Sequence, residues 1–317
     1  MPRWKNILFF SLLILLFIEI LIIFPNQLEK KTEGKSTADA LPGGPQQKME
    51  GVHLVESQKG SRDWELFAEK AIGTQDQGTW NLKKVKVQYY NKEHVDYIVV
   101  GDQGVIEGKN KDMRVSGHVV TRSANGYVFT TETVSYEAGK RKISSPSRIQ
   151  MTGPKDSEGS GLTLTGEKMT VLVDENLMHI EEKVFAQRQM KDNKILMIKS
   201  GQAQFSGKNN EARFTENVQI KYGDLIIYGP EANFVYNPGS QFLDSIQVKG
   251  GIKVTGQDKV VTSENLNIDL TKNLFRFLGR PKVIQNEDEL TGEEILFLDG
   301  GKQVKVQKVK ARVESQK

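Results

Sequence analysis

The residues of this sequence that could do chemistry are acids that recur at one place in a repeating pattern. In six places, a small or turn-forming residue is followed by an acid or an amide. Cleavage of a glycosidic bond requires two carboxyl groups that converge on one site, but these residues are distributed one per repeat. We therefore expect them to cap turns or to face solvent. The six pairs are Thr131-Glu132, Gly166-Glu167, Gly201-Gln202, Pro230-Glu231, Ser263-Glu264 and Gly292-Glu293.

Residues suited to metal binding or covalent catalysis are scarce. The chain contains no cysteine, which excludes a thiol nucleophile, an iron–sulfur cluster and a disulfide framework. Its four histidines do not stand at the short spacing of metal ligands, and the sequence has no phosphate-binding loop. The net charge of +4 is small and spread out, so we expect no nucleic-acid partner. The sequence predicts no cofactor and no enzymatic activity, and a polysaccharide-active enzyme on a β-helix is the alternative.

After residue 50, the dominant pattern alternates apolar and polar residues, as in residues 84–89 and 266–270. Such alternation places every second side chain on one face of a β-strand. Turn signals such as Asn125-Gly126 and Asp299-Gly300 separate these runs at intervals of about 8–12 residues. Helical periodicity is almost absent from this part of the chain. The body is therefore predicted to be all-β and built from stacked antiparallel strands.

A repeat is also visible in the body. An extended segment with a central Val or Ile recurs at intervals of about 30 to 35 residues, which leaves room for two strands per unit. A unit of two strands cannot bury its apolar face alone, so the units must stack on one another. The central residues are Val119, Ile149, Val184, Val218, Ile252 and Val283.

An apolar run at residues 7–24 predicts one transmembrane helix. At about 1.5 Å per residue its length is roughly 27 Å, close to the hydrocarbon core of about 30 Å. Arg3 and Lys5 precede the run, so the positive-inside rule places residues 1–6 in the cytoplasm and the body across the membrane. A cleaved signal peptide is the alternative. However, the run is longer than a usual signal core, and no small-residue cleavage site follows it.

Glu19 lies inside this apolar run. An ionisable group in a membrane span usually marks a functional contact, which here would be with another membrane subunit. Alternatively, the side chain extends from the last turn of the helix to the membrane interface. Residues 25–49 are polar and contain several Gly and Pro residues, so they predict a flexible spacer that tethers the body to the membrane.

Two features of the predicted sheet each have two interpretations. Its apolar face either fills a dry core or lines an open groove that holds alkyl chains. The last predicted strand, residues 304–313, alternates apolar and mostly basic residues. Lysines on an edge strand commonly prevent aggregation, but a free edge also allows a partner's strand to extend the sheet. The residues predicted at this docking edge are Val304, Val306 and Val309.

Six stretches follow one another in a fixed order behind the apolar N-terminal run. They are Met49–Leu54, Trp64–Ala71, Thr79–Val85, Val99–Ile106, Met113–Val120 and Gly159–Glu167. In their residue types and their order, these stretches make residues 50–185 resemble LptC, the single-pass inner-membrane component of the lipopolysaccharide export machine.

The resemblance implies a twisted, open-ended β-jellyroll that follows the transmembrane helix, with the helix in the inner membrane and the body in the periplasm. Such a protein receives lipopolysaccharide from an inner-membrane ABC transporter and passes it to a periplasmic bridge of the LptA type. The resemblance also gives Glu19 a transporter subunit as a possible neighbour. The interior residues expected to contact lipid are Trp64, Leu66, Val85, Val87, Val119 and Ile149, followed by Val184, Val218, Ile252 and Val283 in later repeats.

The chain continues past the point where LptC proteins usually stop. Residues 186–317 resemble the repeats of the bridge proteins LptA and OstA, so we expect a built-in first segment of the bridge. The docking edge would then lie at residues 304–313. The alternative function is a membrane-anchored structural or adhesive β-solenoid with a dry core.

Overall fold

The computed structural model describes residues 46–58, 60–74, 78–91, 93–155, 159–190, 193–238, 243–256, 258–298, 303–308 and 310–312. Within these ranges the chain forms one antiparallel sheet of 21 strands and a short 3-10 helix, Ala138–Lys140. No helix in this part of the chain has the length and apolar character that a bilayer crossing requires. The predicted anchor at residues 7–24, which includes Glu19, lies outside the described residues.

The strands follow one another closely along the chain. They are β1 Gln46–Gln58, β2 Ser61–Thr74, β3 Thr79–Asn91, β4 His94–Glu107, β5 Met113–Ser123, β6 Val128–Glu137, β7 Lys142–Thr152, β8 Thr163–Leu172, β9 Leu177–Gln189, β10 Ile195–Ser200, β11 Gln202–Ser206, β12 Glu211–Tyr222, β13 Leu225–Tyr236, β14 Leu243–Thr255, β15 Lys259–Asp269, β16 Leu274–Leu278, β17 Lys282–Gln285, β18 Asp288–Thr291, β19 Glu294–Leu298, β20 Gln303–Gln307 and β21 Lys310–Arg312.

The sheet is a ladder of consecutive antiparallel hairpins. From β1 to β9, each strand pairs with the next one along the chain. Further along, some rungs consist of two short strands, as where β10 and β11 both lie between β9 and β12. The period-two pattern of the sequence produces this fold because alternate apolar side chains share one face. The all-β prediction is confirmed.

A line of bulges and breaks crosses the sheet near the middle of its strands. In β5 the pairing is interrupted at Gly117 and His118, and in β12 it is interrupted at Glu216 and Asn217. His118 has a φ of 48° and Glu216 a φ of 66°. A bulge of this kind bends its strand. Because the interruptions lie beside one another on neighbouring strands, they form a crease.

The crease divides the sheet into two leaves. Leaf 1 contains residues 61–68 of β2, leaf 2 contains residues 70–74 of the same strand, and the following strands divide in the same way. The inner faces of the leaves oppose one another. For example, the ring centroids of Tyr89 in leaf 1 and Tyr136 in leaf 2 lie 5.4 Å apart, although their strands are not neighbours. We call the open side opposite the crease the mouth.

Large and small residues alternate along leaf 1 beside the crease. Val119 pairs with Thr131. On β7, Ile149 pairs with Thr131 of β6 on one side and with Gly166 of β8 on the other. A Cβ at Gly166 would lie only 2.4 Å from Cγ2 of Ile180 in leaf 2, so this position must lack a side chain. The landmarks of the sequence repeat therefore lie in one row, one landmark per two-strand unit.

The inner faces bury two clusters of apolar side chains. The first core extends from Trp64 to Tyr136 and comes from β2 to β6. The second core extends from Ile149 to Phe297 and comes from β7 to β19. Backbone pairing continues between β6 and β7, where the two cores meet. The body is thus one ladder with two cores.

One predicted boundary differs from the structure at the start of the sheet. The spacer was predicted at residues 25–49, but β1 begins at Gln46. Met49 pairs with Ala71 of β2, so the end of that segment belongs to the ladder. The other residues of the predicted spacer lie outside the described part of the chain.

Two further boundaries fall inside or between strands. The predicted division at residue 186 lies within β9, which passes through it as one strand. The predicted final strand at residues 304–313 consists of two strands, β20 and β21. Lys308, between them, has a φ of 53° and lies at the crease. The division of the chain into domains stays a prediction.

Candidate functional site

The ten residues predicted to face the interior lie on the inner face of leaf 1. Each of them is 6% exposed or less, so all ten belong to the cores. A lipid chain can reach such buried side chains only when the two leaves part. Contact of these residues with lipid stays a prediction. They are Trp64, Leu66, Val85, Val87, Val119, Ile149, Val184, Val218, Ile252 and Val283.

Leaf 2 faces the second core with a series of phenylalanines. The rings of Phe214 and Phe234 meet edge to face with centroids 5.2 Å apart. Each of these rings lies opposite a small residue on the neighbouring strand, because Phe214 pairs with Ala232 and Ala212 pairs with Phe234. Phe205 continues the series at 5.9 Å from Phe214. The second core is therefore an aromatic wall that faces a row of Val and Ile.

The mouth of the first core is closed by aromatic and charged groups. Burial raises the pKa of Tyr89 and raises the pKa of Tyr136 to about 12. Beside this pair, Arg141 donates hydrogen bonds from Nη1 to Oδ1 of Asp63 and from Nε to Oδ1 of Asp174, each at 2.6 Å. The hydrogen bond to Asp63 raises the pKa of the guanidinium. These contacts join leaf 1 to leaf 2.

Partly buried apolar side chains line the mouth of the second core. Tyr236 lies among them, and burial raises its pKa to about 12, with Tyr127 as a nearby group. These residues stand at the strand ends farthest from the crease. The side chains that pack there against the core include Val171, Met178, Tyr222, Leu225 and Leu243.

Both end strands of the ladder leave inward-facing apolar residues exposed. On β1, Met49 is 40% and Leu54 is 38% exposed, and on β20 Val304 is 46% exposed. Val306 is half-buried against the second core, and Val309 lies outside the described residues. Within the described ranges, β1 pairs with β2 alone, and β20 and β21 pair with β19 and β18 alone. The apolar interior therefore reaches both ends of the ladder.

The recurring acids lie on the outer side of the crease. There three of the six pair with basic residues whose positive φ angles help to bend the next strand, as at Lys183 with a φ of 54° and Arg280 with a φ of 52°. These ion pairs face solvent, as the sequence predicted. The pairs are Glu167 with Lys183 at 3.0 Å, Glu264 with Arg280 at 2.6 Å, and Glu293 with Lys308 at 2.8 Å.

A histidine occupies the corresponding place beside the first core. Nδ1 of His118 lies 2.7 Å from Oδ2 of Asp102, and Nζ of Lys84 lies 3.2 Å from Oδ1 of the same carboxylate. The hydrogen bond to Asp102 raises the pKa of His118, and the same contact lowers the pKa of Asp102. In the part of the chain that the structure describes, no group of three His, Cys, Asp or Glu residues could hold a metal ion.

Sequence reasoning did not find the groups that close the first core. Arg141 and Asp63 are separated by 78 residues. Asp63 lies on β2, and Arg141 lies between β6 and β7, neither of which pairs with β2. The basic run from Lys140 to Lys142 is visible in the sequence, but nothing in that run identifies a partner. The tyrosine pair likewise becomes visible only when the two leaves face each other.

A creased antiparallel ladder with an apolar interior and free end strands defines a class of elongated β-proteins that can be extended by edge pairing. A family model described as "Lipopolysaccharide-assembly, LptC-related" matches residues 11–186, more than half of the chain. The chain belongs to this LptC-related family and is a component of lipopolysaccharide transport. A second model, "LptA/(LptD N-terminal domain) LPS transport protein", matches residues 197–299. The resemblance to LptC followed by LptA-like repeats is confirmed.

Among solved structures, the chain is similar to LptH from Pseudomonas aeruginosa, described as the LptA-homologous periplasmic component of the lipopolysaccharide transport device. The two are 13% identical, with a TM-score of 0.35, and the match covers 38% of this chain and 95% of LptH. This likeness is too low to support an assignment. The comparison with curated proteins found no match.

Proposed function

We propose that this chain receives lipopolysaccharide from an inner-membrane ABC transporter and carries its acyl chains between the two leaves. It then passes the lipid to an LptA-type periplasmic bridge at β20 and β21. In this proposal the ladder is a twisted, open-ended jellyroll in the periplasm, and residues 7–24 anchor it in the inner membrane. Glu19 contacts a transporter subunit. The transporter supplies ATP hydrolysis, so the chain works without a cofactor and is not an enzyme.

The observation that carries the proposal is the row of inward-facing Val and Ile residues, alternating with small residues, that continues along leaf 1. Val184 lies in the part of the chain that matches the LptC-related model, and its partner Ser200 lies in the part that matches the LptA-like model. The row continues on the next strand with Val218. Binding of an acyl chain becomes more favourable by about 0.8 kcal/mol of free energy for each methylene group that is buried. A chain that slides along such a row exchanges one set of contacts for an equivalent set.

The packed interior opens without loss of the ladder. Backbone hydrogen bonds run along each leaf, from one strand to the next. Parting the leaves at the mouth therefore breaks side-chain packing and leaves these hydrogen bonds intact. Acyl chains that enter replace the packing that is lost, because they present similar apolar surface. The headgroup stays in water at the mouth.

In this proposal the handover occurs at the C-terminal end strands. Val304 and Val306 face the interior on β20, so a partner strand that pairs with this edge would continue both the sheet and the apolar interior. Because residues 186–317 extend the ladder, the end strand lies far beyond the part that resembles LptC. The chain would thus contribute the first segment of the bridge.

The structural or adhesive solenoid is the second candidate function. The observation that favours it is the close packing of the interior, in which residues such as Val87 and Leu266 are 0% exposed. A protein of that class would keep its leaves closed in the cell. Lipid capture on the inner face separates the two functions.

Photocrosslinking in cells tests the lipid-carrying function. A photoreactive amino acid at Val119 or Val218 is expected to capture lipopolysaccharide, because both positions face the interior. Arg122 and Lys221 lie on the same strands, are exposed, and serve as matched outward positions. Capture at neither inward position, or equal capture at the outward positions, would remove the proposal and favour the dry solenoid.

A second crosslinking experiment tests the site of handover. A photoreactive residue at Val304 on β20 is expected to capture the bridge protein. Val55 on β1 is 51% exposed and provides a matched valine on the opposite end strand. Capture of the bridge protein at Val55, with none at Val304, would mean that the bridge binds at β1 and would contradict a handover at β20 and β21.

A further inference from the structure

We propose that Arg141 is a latch on the mouth of the first core. Its ion pairs with Asp63 and Asp174 hold the two leaves together and determine how often the first core opens. The consequence for lipid entry rests on the proposed function, whereas the latch itself is a property of the protein without lipid.

The contact joins two places that the ladder does not bring together. Asp63 lies near the start of β2 in leaf 1, and Arg141 lies between β6 and β7 at the end of leaf 2. Each residue stands at the strand end farthest from the crease. Because β2 does not pair with β6 or β7, only contact across the mouth can bring Oδ1 of Asp63 to 2.6 Å from Nη1 of Arg141.

The backbone positions both partners. The pairing of β1 with β2 shifts register so that Trp64 and Arg62 have partners and Asp63, between them, is the extra residue of a bulge. Bulges redirect side chains in this way. Arg141 ends the 3-10 helix with a φ of 45°, and its backbone oxygen accepts a hydrogen bond from the Val173 backbone N–H at 3.1 Å.

The ion pair is partly shielded from water. The side chain of Asp63 is 16% exposed and that of Arg141 is 25% exposed, whereas Asp174 is 71% exposed. Charge-assisted hydrogen bonds are stronger than neutral ones, and partial burial reduces their screening by salt. Asp63 is thus the principal partner, and Asp174 orients the other edge of the guanidinium.

The latch lies beside the tyrosine pair at the mouth of the first core. Asp63 is close enough to Tyr89 and Tyr136 to contribute to the raised pKa of both. The leaves can separate here only if the Arg141–Asp63 contact breaks and the two tyrosine rings move apart. Removing the guanidinium takes away the charged part of this barrier and leaves backbone pairing within each leaf unchanged.

Spin-label distances test the latch directly. The natural chain has no cysteine, so two introduced cysteines carry the only labels. Labels at Asn91, at the leaf 1 end of β3, and at Glu175, in the turn after β8, report the width of the mouth. In the purified full chain, Arg141→Gln and Asp63→Asn should each shift the distance distribution to longer values. The double variant should shift it no further.

Arg280→Gln is the matched control. Arg280 also has a positive φ and pairs with a carboxylate, Glu264, at 2.6 Å, but it lies at the crease. Its variant should leave the distances between the labels unchanged. An unchanged distribution in Arg141→Gln, or an equal change in Arg280→Gln, would overturn the latch. If Arg141→Gln does not fold, Asp63→Asn decides, because it removes the same contact from the other leaf.

Lipid capture separates a released latch from a merely destabilised protein. In cells, a photoreactive residue at Val87 should capture about three to ten times more lipopolysaccharide in the Arg141→Gln chain, as expected for loss of one partly exposed hydrogen bond of ordinary strength. A destabilised chain would lose capture at both Val87 and Val218, which contradicts the latch. A longer label distance without any capture at Val87 would support the latch and would contradict the proposed function instead.

Discussion

The two cores of this ladder achieve the same closure by different means. The first core, from Trp64 to Tyr136, is held at its mouth by a tyrosine pair and by the ion pairs of Arg141. The second core, from Ile149 to Phe297, is held by phenylalanines that meet edge to face along leaf 2, opposite alanines on neighbouring strands.

The difference indicates where the ladder opens most readily. A partly exposed ion pair is still screened by water and salt, whereas edge-to-face aromatic rings in a core contribute through their buried area. A mouth held by partly exposed charges can open without disturbing a packed wall. In the proposed function, the first core, which lies nearer to the N-terminus, would be the entrance for lipid and the second core would be the conduit.

Truncation of the aromatic wall should have the largest effect. Phe234→Ala removes a ring that is 1% exposed and should destabilise the protein by about 3–5 kcal/mol, measured by urea unfolding. Tyr228→Ala on the same strand removes a 40% exposed, outward-facing ring and should change stability by less than about 0.5 kcal/mol.

Hydrogen exchange then shows whether the two cores are separate. In Phe234→Ala, protection should fall from β12 to β14 and persist at Val87 and Val99, because units of a stacked ladder contact mainly their neighbours. An equal loss of protection in both regions would mean that the cores unfold as one and that the comparison does not hold.

Replacing the glycines beside the crease with alanine should destabilise the protein less than Phe234→Ala does, and by a similar amount in both cores. A Cβ at Gly101 would lie 2.5 Å from Cγ1 of Val115, and one at Gly166 would lie 2.4 Å from Cγ2 of Ile180. Gly101→Ala and Gly166→Ala should each destabilise the protein by about 1–3 kcal/mol through overpacking. Thermal unfolding of the two variants provides the measurement.

A second substitution tests the cause of that loss. Ile180→Ala should reduce the stability of the Gly166→Ala chain less than it reduces the stability of the natural chain, because the shortened side chain makes room for the added methyl group. Additive losses would show that the methyl group and Ile180 do not compete for space.

The smallest effect concerns pH and distinguishes the creases of the two cores. The raised pKa of His118 in the folded state means that its contact with Asp102 stabilises the protein fully below the unfolded value of about 6.5. This stabilisation is lost as pH rises through the folded value. At the corresponding places beside the second core, Lys183 and Arg280 stand instead of a histidine.

An NMR titration of the His118 ring measures this contact. Its pKa should lie above that of a free histidine in the natural chain and should fall toward the ordinary value in Asp102→Asn. Replacement of Glu167 by Gln, at the crease of the second core, should leave the titration of His118 unchanged. A His118 pKa that does not respond to Asp102→Asn would show that the hydrogen bond does not form in solution.

The sequence was sufficient to predict the strands and their inner faces. Alternation of apolar and polar residues identified Val87, Val218 and the other inward positions, because period two directly determines which side of a strand a residue faces. The repeat landmarks also predicted that the units stack, and the structure places Val119 and Ile149 in one row.

The crease and the latch could not be predicted. His118 and Lys84 adopt positive φ angles that non-glycine residues rarely take, and no local sequence pattern predicts these angles. The Arg141–Asp63 contact depends on how two leaves face each other across 78 residues of chain. Period two gives the face of each strand, but it does not give the bend that brings the faces together.

The most direct test of lipid passage through both cores is photocrosslinking with and without ATP hydrolysis by the transporter. The photoreactive residue would replace Val87 in the first core or Ile252 in the second core. Each of these side chains is 4% exposed or less in the natural chain. We expect ATP-dependent capture of lipopolysaccharide at Val87 first and at Ile252 later. Capture at Ile252 that precedes or bypasses Val87, or no capture at either position, would contradict a continuous route between the leaves.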